Sequence, residues 1–377
     1  MRILLLGEYS NVHNTLAKGL RKLGHEVTVA SDGDGWKNYP RDVDTKRRSY
    51  TFWRSLCYIL KLIKIFRSFK GYDIVQIINP EFVSLKAGKI YPFYKYLRKN
   101  NKRIVLGAYG MDYYYIKGCL DFKTFRYSDF NMGNEERFSS DNAIFKRDWL
   151  YGDKGILNKR IVNDCDSIIA GLYEYAAAYK NHCPFPEKVN FIPFPIVLPQ
   201  TKPSKKRLKG EPLRLFIGIQ TQRSAYKGTD IMLKAAQRLV KDYPHECTLK
   251  IAENIPFKEY QKMLNSSEVI LDQLYSYTPA MNALEGMAHG LINVGGAEPE
   301  NYEILGETLL RPIINVQPSE DSVYNELVYL TKNRDELIPK LQTESRLYLE
   351  KYHDYIKVAK LYAELYSTIL NSNHHYV

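Results

Sequence analysis

One loop in the second half of the chain combines cationic side chains with the start of a helix. The loop begins at Gly218, carries Arg223 and Lys227, and ends with Gly228 directly before the helical pattern that starts at Thr229. A helix N-terminus offers unpaired N–H groups and a partial positive charge, and arginine and lysine add full charges. This combination suits a diphosphate. Because the spacing is neither a Walker A loop nor G-x-G-x-x-G, a solvated basic loop is the alternative.

A second candidate site follows a later apolar strand. Pro279 lies near the start of a predicted helix, and Glu285 lies about a turn and a half inside it. Proline is tolerated at a helix start because its missing N–H would have no partner there. The carboxylate of Glu285 could accept hydrogen bonds from a vicinal diol such as ribose. The alternative, which the pattern alone favours, is a pair with His289 at i, i+4.

The first half of the chain offers weaker candidates. Asp112 follows a predicted strand, where it could orient a hydroxyl or contact a sugar, or could cap the helix that follows. Tyr9, Asn11 and His13 lie in the first loop and could line the acceptor side of a site. A lone histidine such as His13 is more often structural than functional.

Length and composition limit the classes of protein to which this chain can belong. The 377 residues suggest two domains, and 45% hydrophobic with 25% charged residues is ordinary globular composition. Lys and Arg exceed Asp and Glu by 54 to 42, a net charge of +12, which favours an anionic partner. The five cysteines are odd in number and not closely paired, so they predict a reducing compartment. With no signal peptide or transmembrane pattern, we expect a cytoplasmic protein. No metal-ligand spacing is present.

The candidate residues need a scaffold of alternating strands and helices. Apolar strands at 3–6 and 25–30 flank a helical pattern at 12–23, a βαβ order typical of a parallel sheet. The pattern restarts at Leu213 after a proline-rich, basic stretch that predicts a linker over residues 199–211. We therefore predict an α/β protein with two Rossmann-like doubly wound domains facing across a cleft. Residues 1–198 form the first domain, residues 212–354 the second, and a C-terminal helix at about 355–377 returns to the first.

Two segments of the first half allow more than one interpretation. Residues 119–160 are polar, aromatic and poorly periodic, so we expect a long loop with short helical pieces over the first domain. Residues 46–70 hold eight Lys or Arg and no acid, with Leu56, Ile59, Leu60, Ile63 and Phe66 at helical spacing. This apolar stripe could pack inward, which we favour, or the helix could lie on an anionic membrane.

Several motifs, in their order along the chain, resemble those of GT-B glycosyltransferases of the retaining family 4 type. Residues 285–294 resemble the signature Glu-Ala-Met-Ala-x-Gly-x-Pro-Val, and residues 218–230 resemble the segment Gly-Arg-x(4)-Lys-Gly-x-Asp. Residues 192–195 resemble an Ile-Pro-Asn-Pro hinge, and residues 353–366 the returning C-terminal helix. Residues 107–112 are similar to a His-Gly-Ser-Asp stretch near the reacting sugar, with Tyr109 in place of the His. Each motif is moderately specific, and their joint order is more so.

The resemblance implies roles for individual residues. Lys227 would hold the donor diphosphate with Gly218 and Arg223, Glu285 would hold the ribose hydroxyls, and Asp112 would act near the reacting sugar. The backbone that approaches the phosphates and sugar would be that of Thr278, Pro279, Ala280, Met281 and Asn282. Two departures stand out: Tyr277 occupies the position of a second family Glu, and Ile219 replaces the family Arg, for which Arg223 is the candidate substitute.

The resemblance implies a function as well as a fold. We expect a hexosyltransferase-type enzyme that moves a sugar from a UDP or GDP sugar to a hydroxyl acceptor, with retention and without a metal or further cofactor. Surface polysaccharide or glycolipid assembly, with a lipid-linked acceptor at the inner face of a membrane, is a hypothesis by analogy. The alternatives are a catalytically silent binding protein of the same fold, or a basic module associated with membrane or nucleic acid. Nucleic acid is not expected because RNP-like and helix-turn-helix patterns are lacking.

Overall fold

The structure is a computed structural model that describes residues 1–200, 207–220 and 223–372. Part of the predicted linker, residues 201–206, and two residues of the predicted phosphate loop, 221 and 222, lie outside the described residues. The strands, in chain order, are β1 (Arg2–Leu6), β2 (Glu26–Ser31), β3 (Val43–Asp44), β4 (Ile74–Ile77), β5 (Arg103–Ala108), β6 (Asn131–Met132), β7 (Glu135–Glu136), β8 (Ser167–Ala170), β9 (Val189–Phe191), β10 (Leu213–Ile219), β11 (Cys247–Glu253), β12 (Val269–Leu271), β13 (Ile292–Gly295) and β14 (Ile314–Asn315).

The helices alternate with these strands. In chain order they are α1 (Val12–Lys22), α2 (Phe52–Phe66), α3 (Ala87–Asn100), α4 (Tyr113–Cys119), α5 (Ser140–Phe145), α6 (Asp153–Asp164), α7 (Tyr173–His182), α8 (Ser224–Lys227), α9 (Thr229–Asp242), α10 (Phe257–Asn265), α11 (Met281–Ala288), α12 (Pro299–Leu305), α13 (Glu320–Lys332), α14 (Arg334–Tyr352) and α15 (Tyr355–Asn371). A π-helical turn spans Lys146–Tyr151, and a 3-10 turn spans Pro186–Lys188.

The chain divides into two compact units. Unit 1 comprises Met1–Thr124, Ile144–Pro195 and the C-terminal segment that begins at Tyr355; unit 2 comprises Phe125–Ala143 and Ile196–Asp354. We expected residues 119–160 to cover the first domain. That expectation is wrong for Phe125–Ala143, because its polar and aromatic side chains find their partners in unit 2. The same segment forms the antiparallel β6–β7 hairpin, which we did not expect, and the start of α5, which agrees with the short helical pieces that we did expect.

Unit 1 is built on a parallel sheet with the strand order β3-β2-β1-β4-β5-β8-β9. Residues 3–6 of β1 and all of β4 are buried, as the uninterrupted apolar run of β1 predicted. Strand order reverses between β1 and β4, the point where doubly wound sheets open a crevice at their carboxyl ends. The loops after these two strands therefore border the natural ligand position of unit 1.

The C-terminal helix α15 completes unit 1 by packing against α1. Gly19 permits this close approach, because a Cβ there would lie 2.3 Å from the carbonyl oxygen of Tyr355 and 2.6 Å from the Cβ of Ala359. Val358, Ala359, Tyr362 and Tyr366 of α15 are buried. The helical spacing read from the sequence thus corresponds to a face that contributes to the core of unit 1.

Helix α2 corrects a second expectation. The predicted inward stripe is exposed at Leu56, Leu60 and Ile63, and of its members only Phe66 is buried. The face that packs inward instead carries Tyr58 and Leu62 together with Phe66. The stripe was misassigned because α2 is apolar over most of its circumference, so periodicity alone could not say which part meets the core.

Unit 2 contains a second parallel sheet, with the order β11-β10-β12-β13-β14. Its core joins the buried apolar residues of β10, β12 and β13 to those of α9 and α13. The order reverses between β10 and β12, so the loops after these strands border its ligand position. Both loops that we singled out from the sequence lie there.

Candidate functional site

The loop after β10 ends in a sharp turn that only glycine accommodates. Gly228 has φ of 74°, and a Cβ at this position would lie 2.7 Å from the Cβ of Leu274. The turn separates the short helix α8, which ends at Lys227, from α9. The carbonyl oxygen of Lys227 accepts a hydrogen bond of 2.9 Å from the N–H of Leu274, so the loops after β10 and β12 are joined through their backbones.

Lys227 lies half-buried in an electrostatic environment shared with Asp272. Burial raises the pKa of Asp272, and the positive charge of Lys227 partly counteracts that rise. Arg223 is exposed and lies over the ring of Tyr226, with 5.3 Å between the guanidinium carbon and the ring centroid. Two cationic side chains thus flank the turn at the carboxyl end of β10, as the sequence pattern predicted.

The loop after β12 leads into α11, which carries Glu285. Asn282 in the first turn of this helix donates a 2.7 Å hydrogen bond to Asp272 and accepts one of 2.9 Å from the hydroxyl of Tyr260. Tyr260 also covers Gly218, where a Cβ would come within 2.7 Å of its ring. Its pKa is raised by burial and by the nearby carboxylates of Asp272 and Glu285. The cluster therefore joins both loops around Glu285, which is itself half-buried.

The helix start between these loops is closely packed. Thr278 and Pro279 are buried, Ala280 is half-buried at the N-cap, and Met281 is buried at the first helical position. Within the described part of the chain, no side chain caps the helix N-terminus. Its first N–H groups therefore lack helical partners, which is the usual setting for an anion at a helix start.

Tyr277, at the position where the family has a glutamate, is buried and directed toward Phe125–Ala143. Its hydroxyl accepts a 2.7 Å hydrogen bond from the N–H of Arg126, and its ring lies 5.0 Å from that of Tyr127. The guanidinium of Arg126 lies 5.0 Å from the centroid of the Tyr277 ring. The residue therefore anchors the Phe125–Ala143 segment rather than presenting a carboxylate.

The same segment binds unit 2 through a charged network. Arg126 donates to Glu298 at 2.7 Å and also to Glu300, and Tyr127 donates to Glu298 at 2.6 Å. Glu298 is buried, and burial alone would raise its pKa. Hydrogen bonds from Tyr127 and two amide side chains, together with the charge of Arg126, hold the pKa below its usual range.

A second arginine of the segment contacts both candidate loops. Arg137 donates 3.0 Å to the carbonyl oxygen of Ala225, in α8, and lies 3.2 Å from the ring centroid of Tyr275 in the loop after β12. Asp129 accepts a 2.8 Å hydrogen bond from the hydroxyl of Tyr226. Sequence reasoning missed these residues, because their partners lie roughly a hundred or more positions away and no local period connects them.

Unit 1 holds a pocket of about 1080 Å³ at the switch point between β1 and β4. Tyr9 lies on its wall, and its place on an acceptor side stays a prediction. The acidic and basic residues lining it are Glu8, Asp32, Arg47, Glu81, Lys86, Lys89, Asp148, Asp153 and Lys154. Lys154 lies 2.9 Å from Glu81, and burial nonetheless raises the pKa of Glu81. The pocket therefore carries charges of both signs on a largely apolar wall, and it is large enough for a sugar-sized group.

The other candidates of unit 1 have structural partners. Asp112 is fully buried and caps α4: one carboxylate oxygen accepts from the N–H of Tyr115 at 2.9 Å, and the other from the hydroxyl of Tyr179 at 2.7 Å. Burial raises its pKa to about 7. This geometry matches the capping alternative that we raised from the sequence.

The remaining residues of the first loop are also engaged. Asn11 accepts a 2.7 Å hydrogen bond from Asn14. His13 is fully buried, with Nδ1 2.8 Å from the carbonyl oxygen of Gly7 and Nε2 3.1 Å from the amide nitrogen of Gln76. We had expected His13 on the acceptor side, but it lies in the core, because the helix face that carries it turns toward β4.

Among the described residues, no group of three or more His, Cys, Asp or Glu side chains is arranged to hold a metal ion. Within the same residues, none of the helices has the length and apolar character needed to span a bilayer.

Comparison with known proteins shows which fold the two units make. No protein-family model and no curated protein matches the sequence. Among solved structures, sucrose-phosphate synthase from Thermosynechococcus elongatus matches with a TM-score of 0.62 and 12% identity over 98% of this chain and 99% of that one. HepE from Anabaena, bound to UDP and glucose, matches with a TM-score of 0.58 and 12% identity over 98% and 100%.

The fold extends to a protein with a different named activity. A proposed UDP-N-acetylglucosamine 2-epimerase from Listeria monocytogenes matches with a TM-score of 0.54 and 11% identity over 98% of this chain and 96% of that one. At such low identities the likeness establishes the fold alone. The chain therefore has the two-domain, Rossmann-like GT-B fold of the glycosyltransferases that its sequence motifs resemble.

Proposed function

We propose that the protein transfers a glycosyl group from a nucleoside-diphosphate sugar, of the UDP or GDP type, to a hydroxyl acceptor. The observation that carries this proposal is the meeting of the Lys227 loop and the Glu285 helix at the strand-order reversal of unit 2. There a cationic turn and an uncapped helix start lie beside a half-buried carboxylate. These groups match, respectively, the diphosphate and the ribose diol of such a donor.

Each donor-site residue has a distinct part in the proposed reaction. Lys227 and Arg223 offset the negative charge that grows on the departing diphosphate. The backbone N–H groups at the start of α11 add partial positive charge. Glu285 accepts hydrogen bonds from the ribose hydroxyls and so fixes the register of the nucleotide.

The bond changes can be followed atom by atom. The bond between the anomeric carbon and the phosphate oxygen breaks, and the acceptor hydroxyl oxygen forms the new bond from the same face, so configuration is retained. The acceptor proton passes to the departing phosphate oxygen, so no protein carboxylate is required as base. Because Lys227 and Arg223 provide the countercharge, we expect activity to survive EDTA. Loss of activity in EDTA that Mg²⁺ restores would contradict this charge assignment.

Unit 1 provides the acceptor side in this proposal. Its 1080 Å³ pocket offers carboxylates that can accept hydrogen bonds from sugar hydroxyls and lysines that can pair with phosphate. Tyr9 contributes to the wall. Asp112 acts as a positioning residue, because its cap on α4 fixes the loop after β5. The first domain is thus the acceptor domain, and the second is the donor domain.

Arg137 and Arg126 are further positioning residues. Arg137 holds the loops after β10 and β12 at once, and Arg126 fixes Tyr277 just before the start of α11. A structured donor site has less conformational entropy to lose on binding. At the position of the family glutamate, Tyr277 therefore has a structural role through the Phe125–Ala143 segment. Other groups must select the sugar.

A thermal-shift panel of UDP, GDP, CMP and ADP, each with and without an attached sugar, tests the donor assignment. A ligand at 100 times its Kd should add about 2.7 kcal/mol of stability. We expect one nucleotide to stand out. A flat panel would contradict the donor site.

A second candidate function is binding without turnover, which Tyr277 favours because no carboxylate replaces the family contact. Release of free nucleotide from the selected sugar donor, dependent on an added acceptor, separates the two. Binding without release supports the silent protein, and acceptor-independent conversion of the sugar supports an epimerase.

A further inference from the structure

Helix α2 is apolar on two faces, and only one of them meets the core of unit 1. The inner face carries Tyr58, Leu62 and Phe66. The Phe66 ring packs against Phe93 at 4.8 Å and Phe69 at 5.2 Å, and the Tyr58 hydroxyl donates 2.9 Å to the carbonyl oxygen of Thr45. These contacts fix the orientation of the helix. They therefore also fix which residues face outward.

The outer face is formed by five large apolar side chains. They are Phe52, Trp53, Leu56, Leu60 and Ile63. At 3.6 residues per turn they lie within about 100° of the helix circumference. Phe52 is 76% exposed, Trp53 73% and Leu60 59%. Single exposed apolar residues are common, but a contiguous group of this kind marks an interaction surface.

The charge around this outer face has one sign. Residues 46–70 contain eight Lys or Arg and no Asp or Glu. Arg54, Lys64 and Arg67 are exposed, and no ion pair joins them to any other part of the described chain. Lys61, nearer the core, is 3.6 Å from Asp44. The cations beside the outer face are thus available to an anionic partner.

We propose that the outer face of α2 docks onto an anionic lipid bilayer, with Phe52 and Trp53 entering the interface between headgroups and acyl chains. A basic helix with an apolar face lies in this plane because its apolar side chains leave water while its cations contact anionic headgroups. Aromatic residues favour the same depth. A nucleic acid would use the cations but leave the five apolar side chains exposed, so a bilayer accounts for more of the surface.

The docking helix also forms part of the pocket of unit 1. Phe52, Ser55 and Ile59 of α2 line that pocket together with Tyr50. A lipid-anchored hydroxyl acceptor could therefore enter from the bilayer side of α2. This second step rests on the proposed function, whereas the docking itself does not.

Vesicle flotation without any nucleotide tests the docking alone. We expect the full chain to float with vesicles of phosphatidylcholine and phosphatidylglycerol and not with phosphatidylcholine alone. The double variant Phe52→Ser/Trp53→Ser should bind at least tenfold more weakly, and Lys64→Gln about fivefold more weakly, from about 1 kcal/mol per cation near the surface. The matched control Leu309→Ser/Tyr329→Ser, exposed residues of unit 2, should bind like the wild type.

Tryptophan fluorescence gives an independent readout on folded protein. The emission maximum of the protein should shift to shorter wavelength on addition of anionic vesicles as Trp53 enters the bilayer. Trp53→Phe should abolish this shift. Equal binding to neutral vesicles, or unchanged binding by the double variant, would overturn the proposal. A concentration-dependent dimer that the double variant loses would assign the face to a second copy instead, and would also overturn it. Vesicle binding together with a flat nucleotide panel would leave the docking intact and reject the proposed function.

Discussion

Both units are completed by a segment that is distant in sequence, but the two segments use different chemistry. Unit 1 receives α15, whose Tyr362 and Tyr366 join a buried neutral network. The hydroxyl of Tyr362 lies 2.5 Å from that of Tyr109, and the hydroxyl of Tyr366 donates a 2.6 Å hydrogen bond to the side-chain oxygen of Gln76. His13 extends this network through Gln76. Unit 2 receives Phe125–Ala143, whose Arg126 and Arg137 bring charge.

The difference indicates what each segment is for. A neutral, fully satisfied network in the core specifies packing and is costly to disturb. Arginines that reach the loops after β10 and β12 instead hold loops that the apolar core does not fix. Unit 1 therefore depends on its added segment for stability, and unit 2 depends on its added segment for the shape of the proposed donor site.

The largest effect should come from the donor site that the Phe125–Ala143 segment holds. We expect Lys227→Ala to weaken nucleotide binding about 100-fold, because loss of a charged hydrogen-bond donor costs up to about 3 kcal/mol. Calorimetric titration with UDP measures this. Lys234→Ala, an exposed lysine of α9, is the control. Unchanged affinity in Lys227→Ala would remove the loop from the site.

The neutral network of unit 1 should make the stability of the fold decrease at acidic pH. Burial lowers the pKa of His13 to about 3 from the ordinary histidine value of 6.5. The unfolded chain then binds a proton that the folded chain does not, so stability is lost as the pH falls from about 6.5 toward 3. Between pH 7 and pH 5 we expect a loss of about 2 kcal/mol from this group, at 1.36 kcal/mol per pH unit below 6.5.

Urea unfolding of the wild type and His13→Asn at the two pH values isolates this contribution. Between pH 7 and pH 5 the variant should lose about 2 kcal/mol less unfolding free energy than the wild type, whatever its absolute stability. His245→Asn, at an exposed position, should keep the wild-type pH dependence. Parallel pH dependence in His13→Asn and the wild type would mean that the network does not hold a neutral histidine.

An intermediate effect tests the segment of unit 2 directly. Arg137→Ala should weaken UDP binding about tenfold, because two donor-site loops lose a shared partner worth about 1.4 kcal/mol. Arg137→Lys should recover only part of the lost UDP affinity, since lysine keeps the positive charge but lacks the planar guanidinium that donates several hydrogen bonds. Arg238→Ala, whose pair with Asp321 is exposed, serves as the comparison in the same titration. If Arg137→Ala and Arg238→Ala bind UDP with the same affinity, the segment has no positioning role.

The smallest effect should come from Glu285. Glu285→Gln keeps the shape and one acceptor oxygen, so we expect about a fivefold loss of UDP affinity, close to 1 kcal/mol for one weakened hydrogen bond. The loss should vanish for inorganic pyrophosphate, which has no ribose. An equal loss for both ligands would place Glu285 at the phosphates.

The regular parts of the fold follow from local patterns, whereas the completing contacts do not. The buried run of β1, the restart at β10 and the glycine turn at Gly228 each leave a local signature that hydrophobicity and turn chemistry decode. Lys227 and Glu285 could be singled out as candidates because the segments that carry them follow strand ends. Arg126 and Arg137 could not be found in this way, because their roles depend on partners brought near only by folding.

Helix α2 shows a different limit of prediction. Its sequence predicts a basic helix with apolar residues, but these residues lie on two faces, so the pattern does not show which face is buried. The packing of Phe66 against Phe69 and Phe93 decides which face is buried, and that choice depends on other elements of unit 1.

The most direct test of the account is to map where UDP binds by hydrogen–deuterium exchange of the full chain. We predict that UDP slows exchange in the loops after β10 and β12 and at the start of α11, and that Lys227→Ala abolishes this protection. The Phe125–Ala143 segment should show a smaller protection that Arg137→Ala removes. Protection confined instead to the loops after β1 and β4 would place the nucleotide in unit 1 and contradict the account.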